Sequence, residues 1–224
     1  MPPKYSQRVK NKSPYLINGV PVVGVTTALK IIDKSNYLVP WAAKLAFQGI
    51  DPIKYRDEKG MVGTLTHALV NGHLLGKSED DSVAKYDYSQ REIDLAGNSF
   101  LKWLCWEKQH TLEPILVEKP LVSEAHWFGG TPDYYGLIDG VLTLADWKSG
   151  ANLYPEMWYQ IAAYGILLDE LGHRIEQRIL LNIGRDETEN FIEAKRPGPP
   201  LEDEILIFRC CLDIYEAKKR LKND

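Results

Sequence analysis

Gly130–Lys148, GTPDYYGLIDGVLTLADWK, decides how the middle of this chain folds. At its centre Asp139-Gly140 separates two runs whose apolar residues alternate. Asp-Gly in that setting predicts a two-residue type I′ turn, which needs positive φ at both central positions. The turn sets the register: Ile138 opposite Val141, Leu137 opposite Leu142 and, counting outward, Asp133 opposite Asp146. Directly opposed residues on one sheet face have Cβ atoms roughly 4.5–5.5 Å apart, where like charges are unfavourable. Such a pair asks for something cationic between the carboxylates. Lys148 lies two residues beyond Asp146 and shares its face through the strand's period of two. Two acids and a lysine on one strand pair make metal-dependent phosphodiester cleavage the leading expectation.

Around this hairpin the pattern predicts a strand at Ile115–Ser123, with Thr131–Ile138 and Val141–Lys148 as the next two. Tyr154-Pro155 opens a helix that runs to about Leu171, proline being tolerated in a first turn. Arg178–Ile183 reads as an interior strand with Asn190–Ala194 beside it. Arg196–Pro200 is a break, and a final amphipathic helix covers Leu201–Lys222. Upstream, Thr26 or Thr27 is placed to cap a helix over Ala28–Asp33, and Trp41–Gln48 has helical spacing. Residues 61–75 form another helix, and Val83–Gln109 a longer one carrying Trp103 and Trp106. The central order is α-β-β-β-α-β, a mixed α/β fold with a central mixed sheet flanked by helices. One domain is expected over 1–224: a helical lead-in at 24–60, a core at 61–195 and a C-terminal helix at 201–222.

Composition narrows the classes. At 224 residues, 44% apolar and 26% charged, the chain is of ordinary globular make-up. No run approaches the ~20 apolar residues that span a bilayer, so no membrane partner is expected. The opening MPPKYSQRVKNK is basic but lacks the apolar stretch of a secretory signal. Three cysteines, Cys105, Cys210 and Cys211, argue for a reducing, cytoplasmic setting and fall short of an iron–sulfur ligand set. A net charge of −4 is not that of a protein holding nucleic acid by bulk electrostatics. Charge is nevertheless uneven: Lys4, Arg8, Lys10 and Lys12 crowd the start, and Lys218, Lys219, Arg220 and Lys222 the end. Solvated termini and a local phosphate-contacting edge both account for these clusters.

Gly130-Thr-Pro-Asp133, Leu144-Ala-Asp146-Trp-Lys148 and a following helix with Gln160 and Tyr164 resemble the PD-(D/E)xK nuclease superfamily, in particular its RecB-like exonuclease branch. Gly63-Thr-Leu-Thr-His67 is similar to the branch's upstream glycine–histidine element. Val25-Thr-Thr-Ala-Leu and Trp41-Ala-Ala-Lys resemble the helical lead-in of phage and helicase-associated members. The likeness spans residues 24–183 and implies a restriction-endonuclease-like core with the α-β-β-β-α-β order read above. It also implies a Mg²⁺- or Mn²⁺-dependent DNA exonuclease of recombination, repair or phage DNA processing. DNA ends, single- or double-stranded, would be its substrate, and a recombination or replication protein a candidate partner.

On that likeness Asp133, Asp146, His67 and the Trp147 backbone carbonyl are the expected metal ligands, with Glu118 as a further candidate on the first strand. Mg²⁺ and Mn²⁺ favour carboxylate, carbonyl and water oxygens, which suits this set. Lys148 would orient the attacking water as an ammonium, or accept its proton when neutral. Gln160 and Tyr164, four apart on one helix face, would support Lys148 and touch DNA phosphate respectively; both also fit a helix–sheet seam. The alternative reading of His67 is a satisfied core histidine, and that of Glu118 an exposed strand acid. Most of the six tryptophans read as core, with Trp127 in the loop before Asp133 the one offered to an unpaired base. Asp139 is explained by the turn, and His110, His126 and His173 have no placed partner. A restriction-like or structure-specific endonuclease on the same core is the nearest alternative. A non-catalytic DNA-binding relative is the next, though Asp133, Asp146 and Lys148 are all retained here. A metal–carboxylate enzyme acting on something other than nucleic acid is a third, and no nucleotide-cradling motif supports it.

Overall fold

The computed structural model describes residues 13–79 and 88–222. The basic positions Lys4, Arg8, Lys10 and Lys12, and most of the stretch expected to begin the Val83 helix, lie outside them. A small ladder pairs β1 (Leu16–Ile17) with β2 (Val20–Pro21), and β3 (Val23–Gly24) then leads into helix α1 (Val25–Ala28) and a 3₁₀ turn at Leu29–Ile31. Helices α2 (Ser35–Phe47), α3 (Pro52–Leu74) and α4 (Gln90–Glu107) follow. Next come β4 (Leu112–Val117), β5 (Leu121–Ser123), β6 (Phe128–Gly130), β7 (Tyr134–Ile138) and β8 (Val141–Lys148). Helix α5 (Pro155–Glu170), strands β9 (Gln177–Asn182) and β10 (Ile192–Pro197) and helix α6 (Glu202–Arg220) complete the chain.

The main sheet has the order β10-β9-β8-β7-β4 and is antiparallel except for the parallel pair β8–β9, whose crossover is α5. The result is a mixed α/β architecture with the expected α-β-β-β-α-β order. The hairpin follows its turn chemistry: Asp139 and Gly140 have φ of 52° and 79°, and Ile138 pairs with Val141 and Leu137 with Leu142.

Several boundaries differ from expectation: the helix expected at 61–75 already begins at Pro52, the strand expected from Ile115 begins at Leu112, and the break expected from Arg196 comes after Pro197. The extended stretch Ile115–Ser123 is two strands, not one, because Glu118 turns to φ 46° and sends β5 into a separate three-stranded sheet, β3-β6-β5. Likewise the strand expected from Thr131 starts at Tyr134; Pro132 has no N–H to give a ladder, and the segment before it is β6. Neither Thr26 nor Thr27 caps a helix: α1 begins after Gly24 with no side-chain cap. The longer helix α4 starts at a Ser89–Glu92 capping box, with the Ser89 N–H donating to Glu92 at 2.7 Å.

Each face of the main sheet buries its own apolar cluster. Tyr135, Leu144 and Leu180 pack with α5 and α6, while Tyr134, Ala145, Trp147, Ile179 and Leu181 pack with α3 and α4. Trp103, Trp106 and Trp147 meet ring to ring in the second cluster, as the sequence reading of core tryptophans anticipates. Arg178, 1% exposed on β9, forms an ion pair with the equally buried Glu204 of α6, fastening that helix to the sheet. Among the described residues no helix is long and apolar enough to cross a membrane.

Candidate active site

At the C-terminal end of β8 the sheet loses one neighbour. The β7–β8 ladder ends at Tyr134–Ala145, one residue short of the expected Asp133–Asp146 pair. Asp133 therefore sits just beyond the ladder, where its Oδ2 accepts the Trp147 N–H at 2.8 Å. A strand residue sends its N–H and C=O to the same edge, so the Trp147 carbonyl also leaves β8 on the Asp133 side, where β7 has ended. The Trp147 indole lies on the other face, fully buried.

Asp133 is shared with a helix. His67 Nδ1 of α3 stands 3.1 Å from Asp133 Oδ1. The preceding glycine has a local reason: a Cβ on Gly63 would come within 2.8 Å of Ser149 Oγ, so a side chain there would crowd the residue that follows Lys148. Burial alone would push the imidazole down, but the Asp133 carboxylate, by charge and hydrogen bond, outweighs it and raises the pKa of His67. Burial pushes Asp133 up as well; His67, Lys148 and the Trp147 N–H more than reverse this and hold it below its ordinary value.

Asp146 is in the opposite condition. It is 1% exposed, and burial raises its pKa to about 6, helped by the Asp133 charge and resisted by Lys148. Lys148 forms an ion pair with Asp146 Oδ2. The same ammonium donates to Gln160 Oε1 at 3.0 Å, and Gln160 Nε2 donates to the Tyr164 hydroxyl at 2.7 Å. A single chain of contacts thus runs from the β8 end through Lys148 and Gln160 into α5. Asn182, the ladder partner of Lys148 on β9, donates to the carbonyls of Gly150 and Asn190 at 2.8 Å each and steadies the loop after the lysine.

Three expectations need correction. Tyr164 is 4% exposed, its ring lies where a Gly130 Cβ would fall within 2.8 Å, and its hydroxyl is taken by Gln160. It braces Gln160 from the core and has no open face for DNA. Trp127 is 51% exposed at a positive φ of 55°, but on the β5–β6 turn beside His126, which lines a cavity with Asp169 and Glu170. Glu170 is ten residues past Gln160 on α5, about 15 Å along the helix axis, so the turn that carries Trp127 lies toward the end of α5 away from Gln160. Glu118 is exposed at the β4–β5 break; its N–H donates to the Asp133 carbonyl at 3.2 Å, and its carboxylate makes no hydrogen bond or ion pair to the cluster.

Two histidines without placed partners acquire them: His110 Nδ1 lies 2.6 Å from Asp139 Oδ2, and the His173 ring packs on Tyr135. His73 is exposed beside Glu107.

Sequence reasoning passed over a groove beside Lys148 and Gln160. Thr26, Lys30, Lys34, Tyr37, Trp41 and Tyr154 line it, with a volume near 480 Å³. Tyr37 and Tyr154 stack at 5.4 Å between centroids, and Glu156 gathers the Tyr37 hydroxyl and the Lys34 ammonium. The clue in the sequence was the placement of Tyr154 and Glu156 around the first turn of the helix that carries Gln160.

Among the described residues no three His, Cys, Asp or Glu side chains converge as a ready-made metal cage. The donor set nonetheless suits a hard divalent cation. Burial first, and the Asp133 charge after it, make the Asp146 anion costly, while His67 meets Asp133 and the Trp147 carbonyl leaves β8 on the Asp133 side.

No family model matches the chain. No curated protein matches it either. Among solved structures it is similar to SSO0001 at 12% identity, covering 70% of this chain and 74% of that one, with a TM-score of 0.36. It is also similar to LHK-Exo in complex with dAMP at 13% identity, 73% and 91% coverage and a TM-score of 0.35. The alkaline exonuclease LHK-Exo from Laribacter hongkongensis follows at 14% identity, 70% and 84% coverage and a TM-score of 0.33. At these scores the functional reading rests on the residues described above.

Proposed function

We propose that this protein is a Mg²⁺- or Mn²⁺-dependent deoxyribonuclease that removes nucleotides from DNA ends. The observation that carries the reading is the pairing of two buried acids with one lysine at the open end of β8, with Asp146 poised near pH 6. A structural ion pair needs one acid for one lysine, whereas a second buried acid whose charge adds to the cost of the Asp146 anion suits a site that gathers cationic charge. Asp133, Asp146, the Trp147 carbonyl and, once its proton leaves, His67 would hold the ion. A divalent ion there would neutralise phosphoryl charge and acidify a bound water.

The remaining work falls to the chain. Lys148 presents an ammonium to the non-bridging oxygens as charge builds on them, and Gln160, braced by Tyr164, keeps that ammonium aimed. The groove next to Lys148 offers stacked tyrosines and two lysines to the rest of the strand. The resemblance of the glycine–histidine and glutamine–tyrosine elements to RecB-like enzymes favours an exonuclease over an endonuclease on the same core. A time course on end-labelled single- and double-stranded DNA, with a circular control, tests this. Products that shorten from one end in Mg²⁺ or Mn²⁺ and cease in EDTA are expected. Cutting of circles would favour the endonuclease, and binding without cutting the non-catalytic relative.

A further inference from the structure

The lysines that close the sequence are not scattered on a solvated helix end. Lys218, Lys219 and Lys222 line one concavity of about 440 Å³ with Thr27, Lys30, Ile31 and Tyr215. Among the described residues no acidic side chain lines it. Cations in the last turn of α6 are what the helix dipole favours, so Lys218 and Lys219 alone call for no ligand. The dipole does not explain why Lys30, from the 3₁₀ turn, enters the same space. Four ammonium groups around one hollow repel one another. Only Lys219 has a carboxylate in reach among the described residues, Glu216 at 3.6 Å. Lys30 also lines the groove that contains Lys148, Gln160, Tyr37 and Tyr154. The hollow and the groove are therefore neighbours across one side chain.

We infer that this lysine hollow is a second phosphate-binding segment, which takes the backbone of a single DNA strand whose reacting phosphate lies at Lys148. The inference rests on the nuclease reading of that site and extends it to the strand's path. Paired aromatic faces in the groove, with Tyr37 38% and Tyr154 37% exposed, suit unpaired bases, and the lysines beyond suit the phosphates that connect them.

The test uses the full chain with Lys218→Ala, Lys219→Ala and Lys222→Ala together, all three being exposed. Fluorescence anisotropy in EDTA follows binding of single-stranded DNA about 5 and about 20 nucleotides long across a range of salt, spanning typical single-strand site sizes. The longer strand should lose affinity, and its log K against log salt should flatten by about 2, three lysines at roughly 0.7 each. The short strand should be little affected, and lysine-to-arginine versions should restore the slope. A paired control, Lys77→Ala with Lys108→Ala, should change nothing. An unchanged slope and unchanged length dependence overturn the proposal, whether or not the protein cuts DNA. Loss of binding to anionic phospholipid vesicles with the DNA slope intact overturns it too, and assigns the hollow to a membrane surface. A slope that falls as expected in a protein that cuts no DNA in any metal upholds the strand path and removes the nuclease reading instead.

Discussion

Asparagine at position 146 should leave the protein inert yet more stable when metal is absent. Asp146 is 1% exposed, and its pKa is raised from 3.8 to about 6 by burial first and by the Asp133 charge, with Lys148 opposing. A carboxyl whose folded pKa lies above its unfolded value holds its proton more tightly in the folded state. The fold is therefore favoured below about pH 4, loses stability as pH climbs toward 6, and carries a constant penalty beyond it. Two units at 1.4 kcal/mol each put that penalty at about 3 kcal/mol. Asp146→Asn is neutral throughout and escapes it. Urea unfolding in EDTA should show the variant more stable by about 3 kcal/mol at pH 8, with the gap roughly halved near pH 5. Mn²⁺ should then stabilise only the wild type, by about 2.7 kcal/mol at a hundredfold excess over Kd. Equal stability at pH 8, or a variant weaker at every pH, would refute the claim that Asp146 is held as a strained anion.

Other substitutions separate chemistry from scaffolding. Lys148→Ala should abolish cleavage with an unaltered circular dichroism spectrum, and near wild-type turnover would remove it from the mechanism. Gln160→Ala should lower kcat by roughly tenfold to a hundredfold with KM little changed, since one supporting hydrogen bond of about 1–3 kcal/mol is lost. Because His67 favours its proton beside Asp133, Mn²⁺ binding should release protons and tighten from pH 6 to 8; calorimetry in buffers of different ionisation enthalpy reads this directly. Glu204→Ala strands the buried Arg178 guanidinium and should cost about 3–5 kcal/mol in thermal or urea unfolding. Trp127→Ala should leave turnover and KM as they are, and a raised KM would return that residue to the substrate path.

Local rules made much of the site legible in advance. A type I′ turn and a period of two put Asp146 and Lys148 on one face. The four-residue spacing of Gln160 and Tyr164 aligned them on one side of a helix, and turn chemistry accounted for Asp139. Those relations depend on backbone geometry that any such sequence imposes on itself. Three-dimensional packing settled what remained. It ended the ladder one residue early, so Asp133 turned to the Trp147 N–H and to His67, and it pressed Tyr164 against Gly130, out of DNA's reach. The same packing carried Trp127 to the far end of α5, while bringing Lys30 beside lysines almost two hundred positions away. Chain order cannot anticipate such meetings, because burial, charge and closest approach depend on which surfaces share space, and that is decided only when the sheet and helices pack together.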